Sequence, residues 1–291
     1  MPAQPQPFKE TNMPSPESLP LSPTPWAEAW EAQMERWRQM RRARNADPTS
    51  SALWNSLDIW EEYERYTAYP GQLLEPVQAG LEACHTVLDI GAGSGSLAIP
   101  LAKRAEWLTA VEPSAAQCAR LGRAMEAAAR ANFTILNQDW ESVALEDLGR
   151  PDLVVASYCL FMPDIVGAID KMCRVARRRI CLVHLASHDL SRTIRAIRPA
   201  DALVPNHEQL VAVLHEMGLR PRVSLFTRSF MLPLELQLNM FRAAQGFDEA
   251  EIDRMQAALA ASERLEIKDG QVWLKRTFRD ALIEIDKTWI V

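Results

Sequence analysis

The residues best suited to do chemistry here are three glycines and three acids, each set at the end of a short apolar run. Val87 to Ala102 reads VLDIGAGSGSLAIPLA: a buried strand ends at Asp89 and Ile90, the chain turns through Gly91, Gly93 and Gly95, and an apolar helix begins. Glycine at those steps permits positive φ and lets a ligand approach the main chain closely. The helix start that follows presents unpaired N–H groups. A dinucleotide fingerprint needs glycine at the first, third and sixth positions, and the sixth from Gly91 is Ser96, which weakens a pyrophosphate reading. No Gly-Lys-Ser/Thr follows, so a Walker loop is excluded. Glu112 ends the next apolar run, in LTAVEPS. An acid at the tip of the second strand of a doubly wound sheet lies beside the glycine turn and can accept hydrogen bonds from both hydroxyls of a ribose, each worth ~1.5–3 kcal/mol. Asp139 follows the third run, in NQDWE, where it can accept from an adenine amino group while the indole of Trp140 covers the ring.

These residues need a scaffold, and the pattern supplies one. Short apolar runs at 85–90, 107–112, 133–136, 152–157 and 180–185 alternate with helical periodicity at 97–104, 114–131 and 165–178. Such alternation implies a parallel sheet covered by helices on both faces, with ligands at the carboxyl ends of the strands. Further on, Asn206 to Gln209 resembles a capping box opening a helix that ends at Gly218. A strand is expected at 223–230, helices at 233–244 and 248–263, and a hairpin around Lys268-Asp269-Gly270 with arms 265–267 and 271–274. Residues 281–285 fit either a late strand or a helix.

Asp89-Ile-Gly-Ala-Gly-Ser-Gly, Glu112 and Asp139, in this order and spacing, resemble the first three motifs of the class I S-adenosylmethionine-dependent methyltransferases, over about residues 54–190. The resemblance implies an α/β fold: a doubly wound, mostly parallel seven-stranded Rossmann-like sheet with an N-terminal helical lid and C-terminal helical and hairpin additions. It implies S-adenosylmethionine as cofactor, with the turn of Gly91, Gly93 and Gly95 under the methionine part and Asp89 fixing the amino end. Glu112, with Pro113 beside it, would hold the ribose, and Asp139 with Trp140 would lie at the adenine. The segment PDLVVASYCL matches the family's stretch after the fourth strand, which turns Ser157 and Tyr158 toward cofactor and acceptor. An aromatic ahead of the first strand closes over the cofactor in many relatives. Tyr63, Tyr66 and Tyr69 compete for that place, with Tyr66 carried forward.

Methyl transfer from a sulfonium is an in-line displacement, and a base is needed only if the acceptor must lose a proton. The family therefore carries over no universal catalytic residue. The chain lacks the Asn/Asp-Pro-Pro-Tyr/Phe signature of amide- and amino-nitrogen enzymes and any Pro-Cys pair, which favours a small-molecule acceptor. His184 and His188, near the end of the fifth strand, are candidate bases beside Tyr158, each weighed against an ordinary packing role. Arg192, Arg195 and Arg198, three apart, would suit an anionic acceptor if they lined a pocket mouth; a solvated face is the plainer reading.

A net charge of −6 argues against bulk binding to nucleic acid or anionic membrane, and no apolar run is long enough to span a bilayer. Five cysteines (84, 118, 159, 173 and 181) without a CxxC pair suggest neither a disulfide framework nor a metal site, and point to a reducing cytoplasm. Eight prolines in the first 25 residues describe a disordered tail, residues 1–25. Beyond it, Trp26, Trp30, Met34, Trp37 and Met40 or Arg41 recur on one helical face, followed by an arginine run and a second helix bearing Trp54, Leu57, Trp60 and Tyr63. The expected organisation is thus tail, helical lid segment (26–80), cofactor-binding core (81–190) and substrate-side region (191–291). A competing reading makes the protein a non-catalytic member of the fold, binding a partner through its tail and Trp/Arg helix. The oligomeric state is left open.

Overall fold

A computed structural model of the chain describes residues 24–44, 54, 59–82, 85–198 and 204–287. The tail up to residue 23, Leu57 and Cys84 fall outside those residues, whereas Thr24 caps and Pro25 opens the first helix, so the expected disordered tail stops short of residue 25. Five strands run parallel: β1 (Thr86–Ile90), β2 (Trp107–Val111), β3 (Phe133–Leu136), β4 (Leu153–Ser157) and β5 (Arg179–His188). Three more, β6 (Arg222–Pro233), β7 (Leu265–Lys268) and β8 (Gln271–Asp286), join antiparallel. The sheet order is β3-β2-β1-β4-β5-β8-β6, with β7 added alongside β8. The seven expected strands are present and the hairpin supplies an eighth. Chain order reverses between β1 and β4, the place where a sheet of this kind opens its ligand crevice.

The central strands are apolar on both faces because both faces are covered. On one side α1 (Pro25–Arg42), α6 (Leu145–Leu148), α7 (Ile165–Val175) and α9 (His207–Glu216) bury Trp30, Met34, Met172 and Leu214 against Leu88, Val154 and Ile283. On the other, α3 (Leu74–Gln78), α4 (Ala98–Ala102) and α5 (Ala115–Ala127) bury Val77, Leu101, Leu121 and Met125 against Val87, Val155 and Leu282. Two smaller clusters join α8 (Ser191–Ile197), α10 (Leu234–Gln245) and α11 (Glu249–Ala260), and α10 with β6 and α2 (Ile59–Tyr66).

Two elements depart from the sequence expectation. Residues 271–274 and 281–285 belong to one continuous strand, β8, because the charged stretch between them finds ion-pair partners instead of ending the strand. Helix α1, expected in the lid, is a core element. Its indoles at 30 and 37 are buried and the Trp30 Nε1–H donates to Met162 O at 3.0 Å, so this face is spent on the fold and not free for a partner. Trp26 is exposed.

The arginines closing α1 form a latch. Arg41 donates to Ala244 O, and Arg44 Nη1 donates to Gly246 O (3.1 Å) and Glu251 Oε2 (2.7 Å). Arg198 meets the same point, with Nη1 on Gln245 O, Nη2 on Gly246 O, and Nε and Nη2 on the two Glu251 carboxylate oxygens. The carbonyls at this helix end attract cations. Arg198 is therefore buried in the latch while Arg192 and Arg195 are exposed, so the three do not share a face over a pocket mouth. Burial pushes the Glu251 carboxyl up, but hydrogen bonds from Arg198, the Asp248 N–H and Arg44 draw it further down, to about 2. A carboxyl so depressed contributes stability that is present above about pH 4.5 and lost as pH falls toward 2. We therefore expect the melting-temperature gap between wild type and Glu251→Gln to narrow between pH 5 and about pH 2.5. A gap constant over that range would remove the ionic account of the latch.

Candidate active site

The glycine turn leaves β1 at Ile90, whose register partner on β4 is Ala156, so residues 91–95 and the segment after Ser157 face each other. Gly91 N donates to Val111 O at 2.8 Å, tying the turn to the end of β2. Gly91, Gly93 and Gly95 all have positive φ, but space distinguishes them. A Cβ on Gly91 would lie 2.4 Å from Cys159 Cβ, and one on Gly95 2.6 Å from Leu121 Cδ1, whereas one on Gly93 would meet nothing within 4 Å. Gly91 and Gly95 permit packing; Gly93 is the step that faces open space.

Two carboxylates converge there. Glu112 Oε2 accepts from Gly93 N at 2.9 Å, and Oε1 from Ser114 N at 2.8 Å. Burial raises the Glu112 carboxyl while those two N–H groups draw it down. Asp89, at the end of β1, is buried, and its Oδ2 has no hydrogen-bond partner. Burial, and then the neighbouring charge of Glu112, push its pKa up to about 8. A desolvated acid next to another acid favours a positively charged ligand. Pro113 follows Glu112 on an exposed bend, its carbonyl accepting from Asn137 Nδ2 at 3.0 Å.

Asp139 is exposed beyond β3, with Oδ1 capping Ser142 N at 2.9 Å. Trp140 corrects the expectation. Its indole is buried in the core, donates from Nε1 to Ala168 O at 3.1 Å and lies under Lys171 Nζ, so its ring is not available to cover an adenine. Tyr66 is half-buried, with its ring edge-on to Trp273. Tyr69 is the one of the three that reaches the end of β4, its hydroxyl 2.5 Å from Ser157 Oγ and its ring edge-on to Tyr158.

Beyond Ser157 the backbone of Tyr158 adopts φ 55, a strained conformation for an aromatic residue and one that clusters at functional sites. Its hydroxyl donates to Asp280 on β8 and accepts from Arg228 Nη2 on β6 at 3.2 Å. Arg228 also donates from Nε to Asp280 Oδ2 (2.6 Å) and from Nη1 to Thr67 O (2.6 Å). Burial, then the charge of Asp280, hold the Tyr158 hydroxyl well above its ordinary pKa.

The two histidines separate. His184 is buried beside Trp30, with Nδ1 at 3.1 Å from Leu185 O, and burial lowers it to about 4; it is a packing residue facing away from the Tyr158 network. His188, at the end of β5, packs on Phe278 and accepts from Leu190 N through Nδ1 at 3.2 Å. Burial, and then Arg276, lower its pKa to about 4. The neutral ring therefore carries its proton on Nε2, and the lone pair a base requires is already engaged. Sequence reading did not single out Arg228, Asp280 or Glu64. The last lies on α2, in a run that reads as a solvated helix face, yet its carboxylate accepts from Ser94 Oγ at 2.5 Å.

A β-strand, a glycine turn open at its middle glycine and an acid on the next strand define a Rossmann-like cofactor domain. Comparison with known proteins takes this further. Residues 87–179 match the model of a methyltransferase domain family. An uncharacterised protein of Haemophilus influenzae is 26% identical over 160 residues, 54% of this chain and 59% of that protein, so the match spans less than two thirds of its relative. A candidate methyltransferase from Bacillus halodurans shares the fold at TM-score 0.55, 14% identity and coverage of 75% of this chain and 99% of that one. The YcgJ protein of Bacillus subtilis does so at 0.53, with 16% identity and coverage of 74% and 96%. Residues 87–179 are thus similar to a methyltransferase domain, in keeping with the resemblance of the glycine turn and its acids to the class I S-adenosylmethionine-dependent methyltransferase family. That family's cofactor fits the residues present: an unpartnered buried oxygen on Asp89, an open face at Gly93, and carboxylates suited to a cationic ligand. Among the described residues no helix is long and apolar enough to cross a membrane, and no group of three or more potential metal ligands gathers.

Proposed function

We propose that the protein transfers a methyl group from S-adenosylmethionine to a small-molecule acceptor by in-line displacement. One contact carries this reading: Glu112 held on the Gly93 N–H where Gly93 faces open space. The cofactor, when bound, supplies a methyl group already activated on a sulfonium. The chain has only to bind, align and exclude water. Each Glu112 oxygen keeps a second lone pair for a ribose hydroxyl, Asp89 faces the positive amino end, and Asp139 stands at the adenine. Ser157, Tyr158 and Tyr69 form the wall on the acceptor side. His188, neutral and protonated on Nε2, acts as a hydrogen-bond donor to the acceptor and not as its base.

An anionic acceptor loses its support. Arg198 is committed to the latch, Arg228 to Asp280 and Arg276 to Asp189, so these buried guanidinium groups are already paired. The acidic balance of the chain supports neither a nucleic-acid nor a membrane acceptor, and we place the protein in the cytoplasm. The test is calorimetric titration with S-adenosylmethionine and S-adenosylhomocysteine, alongside mass spectrometry of small molecules that co-purify. Micromolar binding of both is expected; no binding of either at about 1 mM, an affinity of only ~4 kcal/mol, would reject the assignment.

A further inference from the structure

The strongest unassigned feature is a carboxylate that α2 carries across to the glycine turn. Glu64 Oε2 accepts from Ser94 Oγ at 2.5 Å, and Oε1 lies 3.5 Å from Ser96 Oγ, at the outer limit of a hydrogen bond. Trp60 also donates to this carboxylate, so three donors meet about four acceptor positions and one is left over. Burial raises the Glu64 carboxyl, opposed by the hydroxyls of Ser94 and Ser96, by Trp60 and by the charge of Arg120. With Asp89 and Glu112 it makes a third acid at one turn, and Asp89, almost wholly buried, keeps an oxygen without a partner. Three acids at one turn, one of them holding an unused acceptor, form a site of the wrong sign for a phosphate and the right sign for an ammonium group.

We infer that Glu64 is a cofactor-binding residue: from α2 its carboxylate takes the ammonium group at the amino-acid end of the cofactor while still anchored on Ser94. This rests on the proposed use of S-adenosylmethionine. It also gives the N-terminal segment a function the core helix α1 does not have, since the same contact that binds the ligand holds α2 against the turn.

The test compares three ligands by titration calorimetry on wild type and Glu64→Gln. S-Adenosylmethionine carries both ammonium and sulfonium, S-adenosylhomocysteine carries the ammonium alone of those two, and 5′-methylthioadenosine carries neither. Glu64→Gln is expected to weaken the first two by about 10- to 100-fold, the loss of one charged hydrogen bond, and to leave the third unchanged. Glu64→Ala should give the same ranking, and the melting temperature of each variant reports whether it folds. Equal weakening of all three ligands in a folded variant would make Glu64 structural. Weakening of S-adenosylmethionine alone would move the contact to the sulfonium, and tighter binding would make Glu64 a plug in the site; each overturns the inference. Wild type binding none of the three would instead reject the function proposed above.

Discussion

Glu112→Ala should lose about 10- to 100-fold in affinity for both S-adenosylmethionine and S-adenosylhomocysteine, the effect of removing charge-assisted hydrogen bonds of ~1.5–3 kcal/mol. It should also melt lower than wild type. Besides the ribose contact proposed for it, the carboxylate is a strut, accepting from Gly93 N and Ser114 N and so tying the turn to the start of α5. The Gly93 N–H has open space beside it and water can replace the lost acceptor. Ser114 is fully buried, and an unsatisfied N–H there costs ~1–3 kcal/mol. Glu112→Gln separates the two roles, because it keeps the volume and one acceptor oxygen. Affinity unchanged in both variants would remove Glu112 from the ribose.

The second large effect is expected at Asp280. This side chain receives Arg228 and Tyr158 in a buried setting where neither has water to fall back on. Removing one partner of a buried ion pair strands the other charge, at a cost of ~3–5 kcal/mol. Asp280→Ala should therefore lower the melting temperature by on the order of 10 °C. The double variant Asp280→Ala with Arg228→Met, which leaves no orphaned charge, should recover a substantial part of that loss. Equal melting temperatures for the single and double variants would show that the two groups are not coupled.

What could be read in the sequence was what depends on near neighbours. The strand, turn and helix around Gly91 to Gly95 are encoded within sixteen residues, and Glu112 follows from strand order alone. The capping box at Asn206 was legible for the same reason. Side chains whose surroundings are set by distant elements were not. Trp140 looks like a ring beside an acid, but α7 offers it the Ala168 carbonyl and a place in the core. Tyr66 and Tyr69 are indistinguishable by composition, and only the approach of Ser157 and Trp273 separates them. Arg198 resembled one tooth of an exposed comb until Glu251, fifty-three residues on, gave it a partner. Glu64 left no signal in the sequence, because its role depends on where α2 lands.

One consequence of the sheet order concerns how the molecule is assembled. β8 follows β5 and β6 in the chain yet lies between them, hydrogen-bonded to each. During synthesis, the outer edge of β5 and the inner edge of β6 must wait for the strand that joins them, and non-local closure of this sort is slow. The pair formed by Arg228 and Asp280 straddles that seam, so the wall beside Tyr158 is finished only when the last gap in the sheet closes.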